Sequence, residues 1–333
     1  MSEPYFEELL PERPEIVAGV FRESQIVTLA GPFNVGKTPL LAHLSSQISR
    51  GLPWCGRQTV QRPVAHFDFE SSDPAFRTNY INICGGRPPA VPEQLEPYVL
   101  NGDCNNPRTQ ALLSAGTIPA MMKLVTNILE QKPTTLLIFD PVELAFPIDV
   151  LKKGEVLRLY KGFRQLLSQF PRAAILSTHN LRKTDRKIEL PDLASDPHSW
   201  LQEIAGSLDI VNRSDVRIGV TRYRDGVIVV NGVRRNENMH PLLLSPIDDD
   251  PDKLAGFRPI SAQVPDLVRV FSSEQLNYWT KLPSEFNFAD HANNGIPKSS
   301  LSRLIHKAIS LGVMLQEPDG KLVKVPALVQ VHS

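Results

Sequence analysis

An eight-residue stretch, "GPFNVGKT" at positions 31–38, most constrains what this chain can fold into. It fits the pattern G-x-x-x-x-G-K-[ST], follows the apolar run "IVTLA" and precedes the amphipathic run "PLLAHLSSQI". Glycines allow the backbone to curl so that its N–H groups converge on a phosphate. A strand, this loop and a helix in that order predict the binding site of a nucleoside triphosphate.

The residue types in the loop suit both a triphosphate and its metal ion. We expect Lys37 to reach the β- and γ-phosphate oxygens and the Thr38 hydroxyl to bind Mg²⁺. A proline follows them, and it is tolerated in the first turn of a helix. The predicted nucleotide-binding residues are Gly31, Asn34, Val35, Gly36, Lys37, Thr38 and Pro39. ATP and Mg²⁺ are therefore the expected ligands.

Acidic residues stand at the ends of two other apolar runs. "TTLLIFDP" ends in Asp140, which we expect on the magnesium side of the site. "VAHFDFESSD" ends with Asp68 and Glu70, which strand alternation places on one face. Either carboxylate could activate a water molecule, and the alternative for Glu70 is a helix-capping or solvated side chain.

A fourth apolar run, in "AAILSTHNLRK", ends with Thr178 and His179. A group at such a strand end can sense the γ-phosphate of a bound nucleotide. A lone histidine after a strand is more often structural, but four polar strand ends in succession favour the sensor role.

Short β-branched runs alternate with longer amphipathic runs over residues 25–230, which predicts an α/β fold around a mostly parallel sheet. A hairpin is expected at the sheet edge, with strands "DVRIGVTR" and "GVIVVNGV" joined by the turn "YRDG". The other expected strands occupy residues 25–30, 64–69, 135–139 and 173–177.

The C-terminal part of the chain has a different pattern. Residues 245–262 combine three consecutive aspartates with three prolines and a glycine, which predicts a linker between an ATPase domain at 1–244 and a small domain at 263–333. In the small domain, "KSSLSRLIHKAISLG" is an amphipathic helix and "VMLQEPDGKLVKV" reads as two strands around an Asp-Gly turn. Together they predict a winged helix-turn-helix.

Composition excludes some functional classes. The 36 basic and 36 acidic residues cancel, which argues against nucleic-acid binding through overall charge but leaves a local basic loop possible. No run approaches the ~18 apolar residues of a membrane helix and the acidic start lacks a basic signal region, so we expect no membrane partner and a cytoplasmic location. The three cysteines lack a paired spacing and are interpreted as buried thiols.

The order of these motifs resembles that of the RecA-like ATPases, and more narrowly that of the RepA-type replicative helicases of plasmids and phages. The resemblance covers about residues 14–240. It rests on "AGPFNVGKT", "GLPWCG", "HFDFESSD", "LLIFDP", "STHNLRK" and "GSLDIV". It implies that Glu70 is the catalytic base, Asp140 the Walker B carboxylate and His179 the sensor, beside the phosphate and Mg²⁺ ligands Lys37 and Thr38.

The resemblance also implies a ring, expected to be a hexamer, with ATP held between subunits and single-stranded DNA in the centre. The corresponding central loops are residues 143–153 and 180–198, and the second also carries four acidic residues that nearly cancel its charge, so an ordinary solvated loop is the alternative. The candidate DNA-binding residues are Lys152, Lys153, Arg182, Lys183, Arg186 and Lys187, with Arg303 in the small domain.

Three departures from the family pattern stand out. A histidine pair followed by a lysine is replaced by Thr178-His179 and a later Arg182-Lys183. Asp215 occupies the position of the family's trans-acting arginine, which leaves Arg213 or Arg217 as loose candidates for that role. The predicted winged helix and its acidic linker are additions to the core pattern.

These observations leave three functions open. The first is a ring-forming DNA helicase or translocase of a plasmid, phage or mobile element. The second is a non-unwinding ATPase, a loader, recombination mediator or regulator, whose winged helix recruits DNA or a replication partner. The third is a transcription regulator in which ATP switches oligomerisation. Neutral charge and Asp215 favour the second.

Overall fold

The protein was analysed as a computed structural model of the 333-residue chain. The structure describes residues 12–72, 78, 80–83, 94–181, 191–194, 196–205, 208–222, 227–235, 239, 241–247, 256–259, 272–283, 285–288, 296–310, 314–316 and 320–324.

A nine-stranded sheet forms the centre of the molecule. Its order is β11-β10-β9-β8-β3-β7-β6-β4-β5, and the pairings from β8 to β5 are parallel, whereas those from β8 to β11 are antiparallel. The strands of this sheet are β3 (Ile26–Gly31), β4 (Val64–Ser72), β5 (Leu95–Asn101), β6 (Leu136–Asp140), β7 (Ala174–Asn180), β8 (Val216–Arg222), β9 (Ile228–Arg234), β10 (Leu242–Pro246) and β11 (Phe257–Pro259). A separate two-stranded hairpin precedes them, formed by β1 (Glu15–Val17) and β2 (Phe21–Arg22).

This sheet confirms the predicted α/β fold with a mostly parallel sheet. All four motif strands form, and each lies within a residue or two of its predicted start. The hairpin of β8 and β9 also forms, but its predicted position at the sheet edge is wrong. Strand β8 pairs in parallel with β3, and β10 and β11 continue the sheet beyond β9. The outer side of β9, which an edge hairpin would leave free, is therefore paired with β10.

Helices cover both faces of the sheet. Within the described ranges they include α1 (Lys37–Arg50), α2 (Pro107–Ser114), α3 (Ile118–Gln131), α4 (Val142–Ala145), α5 (Lys153–Gln169), α6 (Pro197–Leu201) and α7 (Leu208–Arg213). Alternate residues of one strand enter different apolar clusters: Val27 and Leu29 pack with α1, whereas Ile26 and Ala30 face the cluster that contains α3 and α5. Burial on both faces explains the continuous apolar runs of the motif strands.

The described residues of the C-terminal part form two further helices and a small sheet. They are α8 (Ser273–Lys281), α9 (Lys298–Ser310), β12 (Glu285–Phe286), β13 (Met314–Gln316) and β14 (Leu322–Lys324), with sheet order β12-β14-β13. Leu301, Leu304 and Ala308 of α9 are fully buried, and Arg303 and His306 are exposed, as its amphipathic pattern predicts. Strand β11 lies within the stretch predicted as a linker and pairs with β10.

Two other sequence expectations concern single features. Cys55 is a buried thiol, but Cys104 is exposed, so the prediction of buried thiols is wrong for Cys104. It lies in the polar turn "NGDCNN" before α2, where no apolar neighbours in sequence would draw it inward. Cys84 lies outside the described residues. Within the ranges given above, no helix is long and apolar enough to cross a membrane.

Candidate nucleotide site

The phosphate loop joins β3 to α1 and has the backbone conformation that its glycines allow. Gly36, the N-cap of α1, has φ of 100°, and Asn34 has φ of 59°. A Cβ atom at Gly31 would lie 2.8 Å from the carbonyl oxygen of Val220 on the neighbouring strand. Larger side chains at the two glycine positions would therefore strain the loop or push it away from β8. The N–H groups at the start of α1 are left to face a ligand.

Lys37 lies across the inside of this loop. Its ammonium group donates hydrogen bonds to the carbonyl oxygens of Gly31 and Pro32, both at 3.1 Å, and to Oδ1 of Asn180 at 2.9 Å. Burial lowers the pKa of Lys37, and the nearby Asp140, Glu70 and Glu143 carboxylates oppose that shift. The lysine is thus held as a partly desolvated cation at the mouth of the loop.

Thr38 and Asp140 form the pair expected for magnesium. The Thr38 hydroxyl donates to Oδ2 of Asp140 at 2.7 Å, and the Thr178 hydroxyl donates to Oδ1 at 2.6 Å. A hydroxyl and a carboxylate are hard oxygen donors, which suit Mg²⁺. Among the described residues, no group of three or more His, Cys, Asp or Glu side chains could hold a metal ion by itself. The donor set therefore fits an ion that shares its ligands with nucleotide phosphates, and Thr38 and Asp140 are the residues that would hold it.

Asp68 and Glu70, predicted as alternative bases, have different surroundings. Asp68 is buried, and its Oδ1 accepts from the backbone N–H groups of Glu70 and Ser71 at 3.0 and 2.8 Å. Glu70 lines the cleft together with the phosphate loop, Asp140 and Asn180. Partial burial raises the pKa of Glu70. The negative charges of Asp140 and Asp68 raise this pKa further, whereas the positive charge of Lys37 lowers it. Asp68 thus shapes the turn that presents Glu70, which favours Glu70 as the base.

Glu143, in α4, was not singled out from the sequence. Burial raises the pKa of its carboxyl, with smaller contributions from Glu70 and Asp140, and its Oε2 is inaccessible and accepts no hydrogen bond from any described residue. It follows Asp140 by three residues, in the short helix that comes after the cis peptide Asp140-Pro141. The motif "DPVE" could have identified Glu143 from the sequence, but acidic residues are common in the first turn of a helix, so this signal is weak.

The end of β7 presents neighbours of the predicted sensor to the cleft. Thr178 and Asn180 line the cleft, and Asn180 accepts from Lys37. His179 is buried, and this burial lowers its pKa to about 3, with a smaller lowering from the positive charge of Lys37. Its Nε2 forms no hydrogen bond with the described residues. Alternation along the strand explains this, because residues 178 and 180 share a face and 179 faces the other way. Sequence reasoning missed Asn180, although that alternation was readable.

We expect the substitution Asn180→Ala to lower ATP turnover about 10- to 100-fold while ATP affinity changes little, because preorganised polar groups act mainly in the transition state. Lys37 keeps its two loop carbonyls in this variant. The measurement is steady-state hydrolysis over a range of ATP concentrations. Asn127→Ala, at an exposed position on α3, is the matched control. Equal losses in Asn180→Ala and Asn127→Ala would contradict the assignment.

The two arginines predicted as trans-acting candidates do not line the cleft. Arg213 pairs with Asp209, four residues earlier in α7, at 3.7 Å. Arg217 lies inside β8, opposite Thr28 and Val233, and burial lowers its pKa. Both side chains are therefore assigned no contact with their own subunit's nucleotide.

The predicted DNA-binding residues are only partly described. Lys152 contacts Asp149 and Glu155 at 3.7 and 3.4 Å, and Lys153 lies 3.9 Å from Asp209. Such exposed pairs are weak, so both lysines are available to a phosphate backbone. Leu151, beside them, is 76% exposed. Arg303 is exposed on α9. Arg182, Lys183, Arg186 and Lys187 lie outside the described residues.

Comparisons with known proteins identify the family of the chain. Residues 5–186 match the sequence model of a protein family described as "AAA domain". Among solved structures, the chain is similar to one whose title describes an "ATPase Domain", with a TM-score of 0.49 and 10% sequence identity, over 72% of this chain and 86% of that chain. A search of curated proteins finds no matching sequence.

Proposed function

Because the chain belongs to the AAA domain family of P-loop ATPases, we propose that it hydrolyses ATP with Mg²⁺ to drive movement on DNA. The proposed machine is a ring, a hexamer by analogy with the RepA-type enzymes, that acts as a replicative helicase or translocase of a plasmid, phage or other mobile element. The observation that carries hydrolysis is the placement of Glu70 in the same cleft as Lys37, Thr38 and Asp140.

The chemical step in this proposal is in-line attack by water on the γ-phosphate. Glu70 orients the water and accepts its proton, for which its raised pKa suits it. Lys37 interacts with negative charge that develops on the transferred group, and Asn180 holds Lys37 in position. Mg²⁺, when bound by Thr38 and Asp140, would neutralise phosphate charge. The Thr178 hydroxyl fixes the second oxygen of Asp140 and so orients that carboxylate.

Two features of the chain support action on DNA. The start of α5 and the two residues before it present Lys153, Lys152 and the exposed Leu151, which suits contact with phosphates and with an apolar base surface. The C-terminal elements have the order of a winged helix, and α9 exposes Lys298, Arg303 and His306 on one side. We assign this second part to recruitment of DNA or of a replication partner.

A non-unwinding ATPase, such as a loader or mediator, is the second candidate. The surroundings of the two candidates for the trans-acting arginine favour it. Arg213 forms an ion pair within its own helix, and Arg217 is partly buried in a strand. A chain that lacks a trans-acting cation would bind ATP but hydrolyse it slowly unless a partner supplied one.

The test is the steady-state rate of ATP hydrolysis with Mg²⁺, measured with and without single-stranded DNA. We expect stimulation of about tenfold or more by the DNA and a loss of activity of at least ~10²-fold in Lys37→Ala, because this substitution removes a donor that stabilises charge in the transition state. A slow rate that is indifferent to DNA would favour the second candidate. Absence of ATP binding would contradict both.

A further inference from the structure

One cation beside the phosphate loop has no part in the proposed mechanism. Arg222 is the last residue of β8 and its side chain is exposed. One terminal nitrogen of its guanidinium lies 3.7 Å from the position that a Cβ atom on Gly36 would occupy. No described residue accepts a hydrogen bond from Arg222 or forms an ion pair with it. Water can hydrate an exposed guanidinium, but the position of this one beside a phosphate loop places a planar set of charged donors where an anionic ligand binds.

The sheet register explains why Arg222 reaches this place. Strand β8 pairs in parallel with β3, with Ala30 opposite Gly219, so both strands end at the same edge. The absence of a side chain at Gly31 then allows β8 to run close beside the start of the loop, because a Cβ there would lie 2.8 Å from the Val220 carbonyl oxygen. Two residues later, Arg222 lies against Gly36 of its own chain. This contact belongs to the fold of one subunit and needs no neighbour.

We propose that Arg222 binds the phosphates of the nucleotide held by its own subunit. This inference rests on the proposed function and assigns a further residue to the same site. Gly36 lines the cleft together with Lys37, Thr38 and Glu70, and Arg222 approaches Gly36 from the β8 side. In a loop of this type the backbone N–H groups cradle the α- and β-phosphates, so we assign the guanidinium to these inner phosphates, which ADP and ATP share. A planar fork of donors is suited to two phosphate oxygens at once.

The first experiment measures the affinity of N-methylanthraniloyl-labelled ADP and ATP for the full chain. We expect Arg222→Ala to weaken both nucleotides about tenfold and Arg222→Lys to weaken them less, because a hydrogen bond to a charged group is lost in the first and a point charge remains in the second. Arg258→Ala, at an exposed position on the edge strand β11, is the matched control. Thermal unfolding of each variant shows whether the chain remains folded.

The outcomes separate this inference from the proposed function. Wild-type protein that binds neither nucleotide would contradict the proposed function itself. Wild-type binding that is lost in Lys37→Ala but unchanged in Arg222→Ala would overturn only the role of Arg222. A loss for ATP without a loss for ADP would overturn the assignment to the inner phosphates, because the γ-phosphate is the group that ADP lacks.

A mixing experiment separates action on the same subunit from action on a neighbour. Subunits with Arg222→Ala keep an intact phosphate loop, and subunits with Lys37→Ala keep Arg222. If Arg222 serves its own subunit, the mixture hydrolyses ATP no faster than the sum of the two separate variants. Recovery of hydrolysis on mixing would show that Arg222 acts across an interface and would overturn the proposal. A loss of nucleotide affinity in protein that sediments as a monomer would support it directly.

Discussion

The substitution Glu70→Gln is expected to lower ATP turnover about 10³-fold, within the range that a general base contributes, and to leave ATP binding nearly unchanged. The glutamine keeps the size of the side chain but cannot accept the proton of the attacking water. Glu70 makes no hydrogen bond to the phosphate loop in the described structure, so its replacement leaves the hydrogen bonds of Lys37 in place. Single-turnover hydrolysis and nucleotide affinity are the two measurements.

The matched control is Glu130→Gln, at an exposed position on α3, which should behave as wild type. Asp68→Asn tests the alternative base. We expect it to lower turnover less than Glu70→Gln, because its amide oxygen can still accept from the backbone N–H groups of Glu70 and Ser71. If Asp68→Asn abolishes turnover and Glu70→Gln does not, the roles of the two carboxylates are exchanged.

The pH dependence gives the same assignment a second test. Burial together with Asp140 and Asp68 raises the pKa of Glu70 above that of a free glutamate. A base works in its deprotonated form, so activity should fall as the pH drops through this raised pKa, at a higher pH than an unperturbed glutamate would give. The residual activity of Glu70→Gln should lack this acid limb.

Hydrophobic runs with polar ends were enough to predict the part of the sheet that carries the site. Strands β3, β4, β6 and β7 are buried on both faces, and such strands have a strong sequence signal because most of their residues are apolar until the strand reaches the cleft. The strands β5 and β10 were not predicted. "LEPYVLN" carries a glutamate and a proline, and "LLLSP" is short and runs into a proline, so neither has a clear strand pattern.

Side-chain direction at strand ends was harder to predict than the strands. The sequence pointed to His179 because histidine has distinctive chemistry, yet the structure presents Asn180 to Lys37 and leaves His179 buried. Asp68 and Glu70 were equivalent candidates in the sequence, but the structure distinguishes them, because the Asp68 carboxylate accepts a hydrogen bond from the backbone N–H group of Glu70. The contact between Arg222 and Gly36 depends on the pairing of β8 with β3, and a sequence that suggested an edge hairpin could not show it.

Asp215 illustrates how a departure from a family pattern can have a structural cause. Its carboxylate accepts two hydrogen bonds from Arg164 of α5, at 2.7 and 2.8 Å, and one from the backbone N–H of Ile26 at 2.9 Å. Arg235 lies 3.6 Å away. Ile26 is the first residue of β3, so this one side chain joins α5 and β8 to the strand that enters the phosphate loop. An arginine could not occupy this position among two other arginines.

We therefore expect Asp215→Ala to lower the free energy of unfolding by about 2–4 kcal/mol, which is below the upper range for a fully buried pair because Arg164 is partly exposed. Asp215→Asn keeps one acceptor oxygen and should lose about half as much. Urea unfolding monitored by circular dichroism measures both. Asp196 and Asp103 are not suitable controls because each accepts a hydrogen bond from a backbone N–H group, whereas Glu130→Ala changes an exposed residue on α3 and leaves the core intact.

The variant Asp215→Arg separates the structural role from the catalytic one. If the aspartate had merely replaced a trans-acting arginine, restoring an arginine would raise ATP turnover. The contacts of Asp215 give the opposite expectation, because a third cation beside Arg164 and Arg235 would repel both and would leave the N–H of Ile26 without its acceptor. We expect a loss of stability at least as large as that of Asp215→Ala and no gain in turnover. A folded, faster Asp215→Arg enzyme would show that the position faces a neighbouring nucleotide, and the structural explanation of the departure would then be wrong.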